Sequence, residues 1–167
     1  MDKAARNDDR LQEGPVRRSA AYEGAPGDIA RARDMARDFL LGLRSEHGLP
    51  VSRRAVDVVQ LVVSELLTNA CKHAPGPTLL ELELAGEEVR VTVWDSVPTL
   101  PVARDPDPSR VGQHGLEIVI ALCQSFASER AAVGKRTTAS VGLLDAPRAD
   151  GGRRGAALTP PARPAFP

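Results

Sequence analysis

The sequence predicts an α+β fold, a two-layer sandwich with a mixed, mostly antiparallel sheet and helices packed on one face. Three observations carry this. Two long segments before residue 75 repeat apolar residues at helical spacing. Two shorter segments, "TLLELELAG" and "EEVRVTVWD", alternate apolar and polar residues around Gly86. A third helical segment then leads into two further strand-like stretches around Gly134.

Taken in order, "VRRSAAYEG" reads as a first edge strand. "PGDIARARDMARDFLLGLR" reads as a helix, with Ile29, Ala32, Ala36, Phe39, Leu40 and Leu43 forming its apolar stripe. Gly48 and Pro50 break it. Ser52 is a suitable N-cap for a second helix that runs to about Ala74, where "PGP" stops it. The Gly86 hairpin follows. "SVPTLPVARDPDPSRVGQ" places five Pro or Gly in 18 residues and has no period, so it reads as a long loop, a length that is often functional. "HGLEIVIALCQSF" reads as a third helix, with Leu116, Val119, Ile120 and Cys123 on one side. "SERAAVG" and "RTTASVGLL" read as final strands around a Gly134-Lys135 turn. Residues 1 to 14 and 145 to 167 read as polar or Pro/Gly/Arg-rich disordered tails, which leaves 15 to 144 as the folded domain.

Composition excludes several classes. The 167 residues carry 22 Lys plus Arg and 22 Asp plus Glu, so there is no basic surplus for polyanion binding. Five aromatic residues, Tyr22, Phe39, Trp94, Phe126 and Phe166, are too few for a base-stacking platform. No apolar run is long enough to span a bilayer, and the polar N-terminus is no secretory signal. Cys71 and Cys123 lie in apolar helical patterns and read as buried free thiols of a reducing cytoplasm. Cys71 and His73 make at most half of a metal site.

Three stretches carry polar groups in places that need explaining. On the second helix, at about 100° per residue, Glu65, Asn69, Lys72 and His73 share one arc. Val56, Val59, Val63, Leu66, Leu67 and Ala70 lie opposite, and Val58, Leu61 and Val62 border the arc. The arc fits either a solvated stripe or the lining of a cavity between elements. Asp95 ends an apolar strand, where it caps a turn or accepts a hydrogen bond from a ligand. Gly112 and Gly115 sit at the mouth of the third helix, where glycine lets the backbone approach an anion. No Walker-type glycine loop occurs.

"ELLTNACKH", "VWDS" and "GQHGLEIV", in that order, resemble the ATP-binding domain shared by gyrase-type topoisomerases, heat-shock chaperones, sensor histidine kinases and mismatch-repair proteins. Within it the chain is most similar to the small bacterial anti-sigma-factor serine kinases and related regulators. The resemblance covers about residues 15 to 144. It implies ATP or ADP as ligand, with Asn69 holding Mg²⁺ against the phosphates and Glu65 as general base. It implies that Lys72 and His73 sit at the phosphate end and that Asp95 reads the adenine amino group. Gly112, His114, Gly115 and Leu116 fall at the phosphate-contacting turn, and 96 to 111 at the nucleotide lid. Thr137 or Thr138 matches a hydroxyl near the adenine. The implied partners are a sigma factor and an antagonist phosphorylated on Ser or Thr, with room for a homodimer and no direct contact with nucleic acid or membrane.

The sequence departs from that family at Asp95-Ser96-Val97, where Asp-x-Gly is usual, and at Gln113-His114, where an arginine often stands. It shows no phosphotransfer segment or membrane sensor, so a complete sensor histidine kinase is not expected. Three functions follow as alternatives: a kinase, a nucleotide-binding partner-switching regulator with little or no turnover, and an interaction module that keeps only the fold.

Overall fold

A computed structural model describes residues 14–98 and 114–145. Both expected tails, most of the expected loop and Gly112 lie outside the described residues. The elements are β1 (Arg17–Tyr22), α1 (Asp28–Ser45), α2 (Arg53–His73), β2 (Thr78–Ala85), β3 (Glu88–Asp95), α3 (Gly115–Leu122), β4 (Ser125–Arg130) and β5 (Lys135–Gly142). The strands form one sheet in the order β1-β2-β3-β5-β4. The helices cover one face of it, as the sequence pattern implies.

Each neighbouring strand pair among the described residues is antiparallel. The sheet is thus antiparallel among the described residues and not mixed as expected. Strands β3 and β4 run the same way, but β5 lies between them, so the α3 crossover spans a gap of one strand. The hairpin β4–β5 fills that gap and leaves β4 at the edge.

Helix α2 begins where its cap allows. The Ser52 hydroxyl accepts from the Ala55 amide at 3.0 Å, satisfying one of the free N–H groups of the first turn. Its buried residues, from Ala55 through Val58, Val59, Val62, Val63, Leu66 and Leu67 to Ala70, span about half its circumference. They pack on α1, α3, β3 and β5. From the sheet side, Leu80, Leu82, Val89, Val91, Val93, Ala139 and Val141 meet them. Helix α1 buries Ala32, Ala36, Phe39, Leu40 and Leu43, with Ile29 partly covered. Asp28 at its start is buried, accepts from the Ala25 amide at 2.7 Å and pairs with Arg31. Together with burial, that carboxylate raises the Tyr22 phenol above its usual range.

The third helix is shorter than the sequence pattern predicts. It ends at Leu122, and Cys123 turns extended with φ −87° and ψ 152°. The Gln124 amide then bonds to the Ser140 carbonyl at 2.8 Å, and Phe126 pairs with Ala139 in the sheet. Sheet pairing therefore outcompetes the continuing apolar run. Val119 is fully buried and Leu116 half-buried, while Ile120, expected inside, is 44% exposed. Cys71 also departs from expectation. It is exposed at the outer side of the last turns of α2, and Cys123 is half-buried, with both thiols free.

Ser52→Ala should cost about 1 kcal/mol of stability by lowering the urea midpoint at unchanged slope. The two thiols should separate in reactivity. Burial pushes Cys123 up from 9.0 to about 11, whereas Cys71 is open to solvent. In the native protein a disulfide-exchange reagent should modify Cys71 quickly and Cys123 only on unfolding. Because the folded pKa of Cys123 is raised, its contribution to stability is present below about pH 9 and is lost as pH rises through about 11.

Candidate functional site

The inward face of the sheet ends on charge. Along β3, Val89, Val91, Val93 and Asp95 point to the helices, and along β5 Lys135, Thr137, Ala139 and Val141 do the same. Register sets Asp95 directly opposite Lys135. The Lys135 ammonium lies 2.6 Å from Asp95 Oδ2, and each side chain is only 3% exposed. The other carboxylate oxygen, Oδ1, accepts from the Val97 amide at 3.0 Å. This turn, closed by the Asp side chain, stands at Asp95-Ser96-Val97, where the sequence departs from Asp-x-Gly.

Gly134 makes the close approach possible. It has φ +70°, and a Cβ there would fall 1.7 Å from the Asp95 carbonyl oxygen. The β4–β5 turn, closed by the Ala131 amide on the Gly134 carbonyl at 3.1 Å, therefore seats against the end of β3. Lys135 is thus the first residue of β5 and not part of the turn, as its sequence position beside Gly134 had suggested.

The polar arc of α2 faces the start of α3. A Cβ on Gly115 would fall 1.8 Å from Glu65 Oε2, so the Glu65 carboxylate fills the space where a side chain would stand. Gly115 is the first residue of α3, where free N–H groups and the positive helix end favour an anion. Asn69, one turn further along the same side of α2, is half-buried. Lys72 and His73 are exposed at the end of α2. Gly76, just beyond, lies against the Ser96 hydroxyl, which brings the end of α2 beside the end of β3.

The remaining candidates are placed as follows. Gly112 is outside the described residues. His114 is exposed and its Nδ1 lies 3.0 Å from Glu117 Oε2, a partner on its own helix. Leu116 is half-buried against the core. Thr137 is buried on the helix side, with its hydroxyl 3.0 Å from that of Ser128, whereas Thr138 faces the opposite side of the sheet. That opposite side holds a depression of about 310 Å³ lined by Trp94, Glu129, Arg136 and the β4–β5 turn. It is separated from Asp95 by the sheet itself.

Lys135 is the residue that the sequence reading missed. The signal was present in the alternation: counting back by twos from Val141, Ala139 and Thr137 puts Lys135 inside. An inward lysine requires a buried partner charge.

The family model "Histidine kinase-like ATPase domain" matches residues 23–141. A crystal structure of the RsbU and RsbW domains of Rv1364c from Mycobacterium tuberculosis matches with TM-score 0.56 at 19% identity. It covers 76% of this chain and 32% of that one, so this chain spans about a third of that protein's length and the likeness is one of fold. A histidine kinase domain from the Erythrobacter litoralis EL346 blue-light activated histidine kinase aligns with TM-score 0.42 at 23% identity, over 67% of this chain and 61% of that one. No curated protein matches significantly.

Asp95→Ala should be strongly destabilising, by about 3–5 kcal/mol, because it leaves the Lys135 ammonium buried without its counter-charge. Asp95→Ala combined with Lys135→Met should recover much of that loss in urea unfolding. A single variant as stable as the parent would contradict the buried pair.

Proposed function

Since the chain belongs to the histidine kinase-like ATPase domain family, a family of ATP-binding domains, we propose that it binds Mg-ATP between α2, the start of α3 and the ends of β3 and β5. We read it as a regulator that passes a phosphoryl group to a Ser or Thr of an antagonist protein. The observation that carries the nucleotide-binding part of this reading is the meeting of the Glu65 and Asn69 face of α2 with the start of α3 at Gly115.

The residues present fit the ligand. A phosphate can reach the free N–H groups at the start of α3 once the Glu65 carboxylate, which fills the space beside Gly115, swings away. Among the described residues no three His, Cys, Asp or Glu side chains gather as a metal site. A magnesium ion held mostly by phosphates and water needs only one protein oxygen, and the Asn69 carbonyl can supply it. Asp95 spends two of its roughly four lone-pair sites on Val97 and Lys135, so it can still accept from an adenine amino group.

Bound ATP supplies the transferable phosphoryl group. The chain supplies positioning and a base: Glu65 takes the proton of the incoming hydroxyl. Lys72, exposed at the end of α2, adds positive charge toward the phosphates, and His73 beside it adds a hydrogen-bonding ring nitrogen. Among the described residues no helix is long and apolar enough to cross a membrane, and we place the protein in the cytoplasm. Its protein partners on this reading are a sigma factor and the phosphorylated antagonist, with a second copy of the chain as a further candidate.

The second reading is a nucleotide-binding partner switch with little turnover. It is favoured by the Glu65 carboxylate being packed against Gly115, a position that a base used in every cycle would have to leave.

Calorimetric titration should show Mg-ATP binding that Asn69→Ala weakens by about tenfold or more, the loss of one charge-assisted contact. Glu65→Gln should bind ATP yet fail to transfer labelled phosphate to a hydroxyl-bearing antagonist. Binding without any transfer by the parent selects the second reading. Absence of binding removes both.

A further inference from the structure

Lys135 is more than a counter-ion. Resting on the nucleotide reading above, we infer that Lys135 reads the base alongside Asp95, donating to adenine N1 while Asp95 accepts from the adjacent amino group. The Asp95 carboxylate and the Lys135 ammonium stand 2.6 Å apart, on neighbouring strands and on the same face of the sheet. An acceptor and a donor side by side match the two neighbouring groups on that edge of adenine, an amino donor and a ring-nitrogen acceptor.

Both partners have capacity to spare. Asp95 Oδ1 is engaged by the Val97 amide and Oδ2 by Lys135, which leaves unused lone pairs. An ammonium carries three N–H donors, and Asp95 is the partner recorded for Lys135 among the described residues. The next inward pair, Val93 on β3 and Thr137 on β5, is buried, with the Thr137 hydroxyl bonded to that of Ser128, and burial sharpens any hydrogen bond formed there. Stability alone does not call for such a pair, because well-packed apolar side chains of similar size are commonly as stabilising as a buried ion pair. Base reading gives this costly arrangement a use.

The geometry also accounts for the altered motif. The Asp95-Ser96-Val97 turn closes on the carboxylate through the Val97 amide, and Gly134 brings the β5 end into contact with the Asp95 backbone. The same close approach delivers Lys135 to the carboxylate.

The test is a set of calorimetric titrations of the full chain with the magnesium complexes of ATP, 1-deaza-ATP, which lacks the ring nitrogen, and 7-deaza-ATP as a control that keeps it. The parent should bind ATP and 7-deaza-ATP alike and 1-deaza-ATP about tenfold or more weakly, since a buried charged donor is left without its acceptor. Lys135→Met should lose a similar factor for ATP and no longer distinguish ATP from 1-deaza-ATP. If the parent binds all three alike, or if Lys135→Met binds ATP as tightly as the parent, Lys135 only neutralises Asp95 and the inference is overturned while the nucleotide reading stands. If none of the three binds, both fall. The parent's preference among the three nucleotides decides the matter even if Lys135→Met does not fold.

Discussion

Helix α2 carries more apolar surface than any single partner can cover, and the rest of the domain is arranged around burying it. Each Val or Leu moved from water to the core contributes about 1.5–3 kcal/mol before entropy is counted. Eight α2 side chains are buried, against α1 on one side, α3 on another and the β3–β5 strands below. The rest of the helix carries Arg53, Arg54, Asp57, Gln60, Ser64 and Thr68, while Glu65 and Asn69 lie at the border of the buried side and are partly covered. Glu65 meets the start of α3 at Gly115, and Lys72 and His73 are exposed at the end of the helix. Packing of α2 against α3 therefore holds Glu65 at the edge of the core.

Charge imposes a second constraint on the same end of the molecule. A carboxylate at the inner end of β3 is too costly to bury alone. Asp95 is stabilised twice, by the Val97 amide and by Lys135, and both contacts depend on tight turns. Gly134, in a left-handed conformation, supplies the second turn, because any side chain there would strike the Asp95 carbonyl. The end of the sheet is thus a place where backbone geometry, buried charge and the proposed base contact must agree.

How much of this was legible in the sequence follows from the strength of each local signal. The stripes of α1 and α2, the Ser52 cap and the Gly86 hairpin were plain, because period and cap agree over many residues. The end of α3 was not. Cys123 to Phe126 continue an apolar run that a helix could have used, and only pairing of β4 with β5 decides otherwise. Cys71 was read as buried because its neighbours are apolar, yet it is exposed near the end of the helix. Among the site residues, Glu65, Asn69 and Asp95 stood out as polar groups in apolar surroundings. Lys135 did not, since beside a glycine it looked like turn chemistry until sheet register placed it opposite Asp95.

The central claim is that the ligand site lies on the helix side of the sheet, between Glu65, Asn69, Gly115 and the Asp95–Lys135 pair, and not in the depression beside Trp94 and Glu129 on the other face. Amide chemical shifts of isotopically labelled protein, followed as Mg-ATP is added, test it most directly. The predicted result is that saturable shifts concentrate at Glu65, Asn69, Gly115, Val97 and Lys135. Shifts confined to Trp94, Glu129 and Arg136, or no saturable shifts at all, would contradict it.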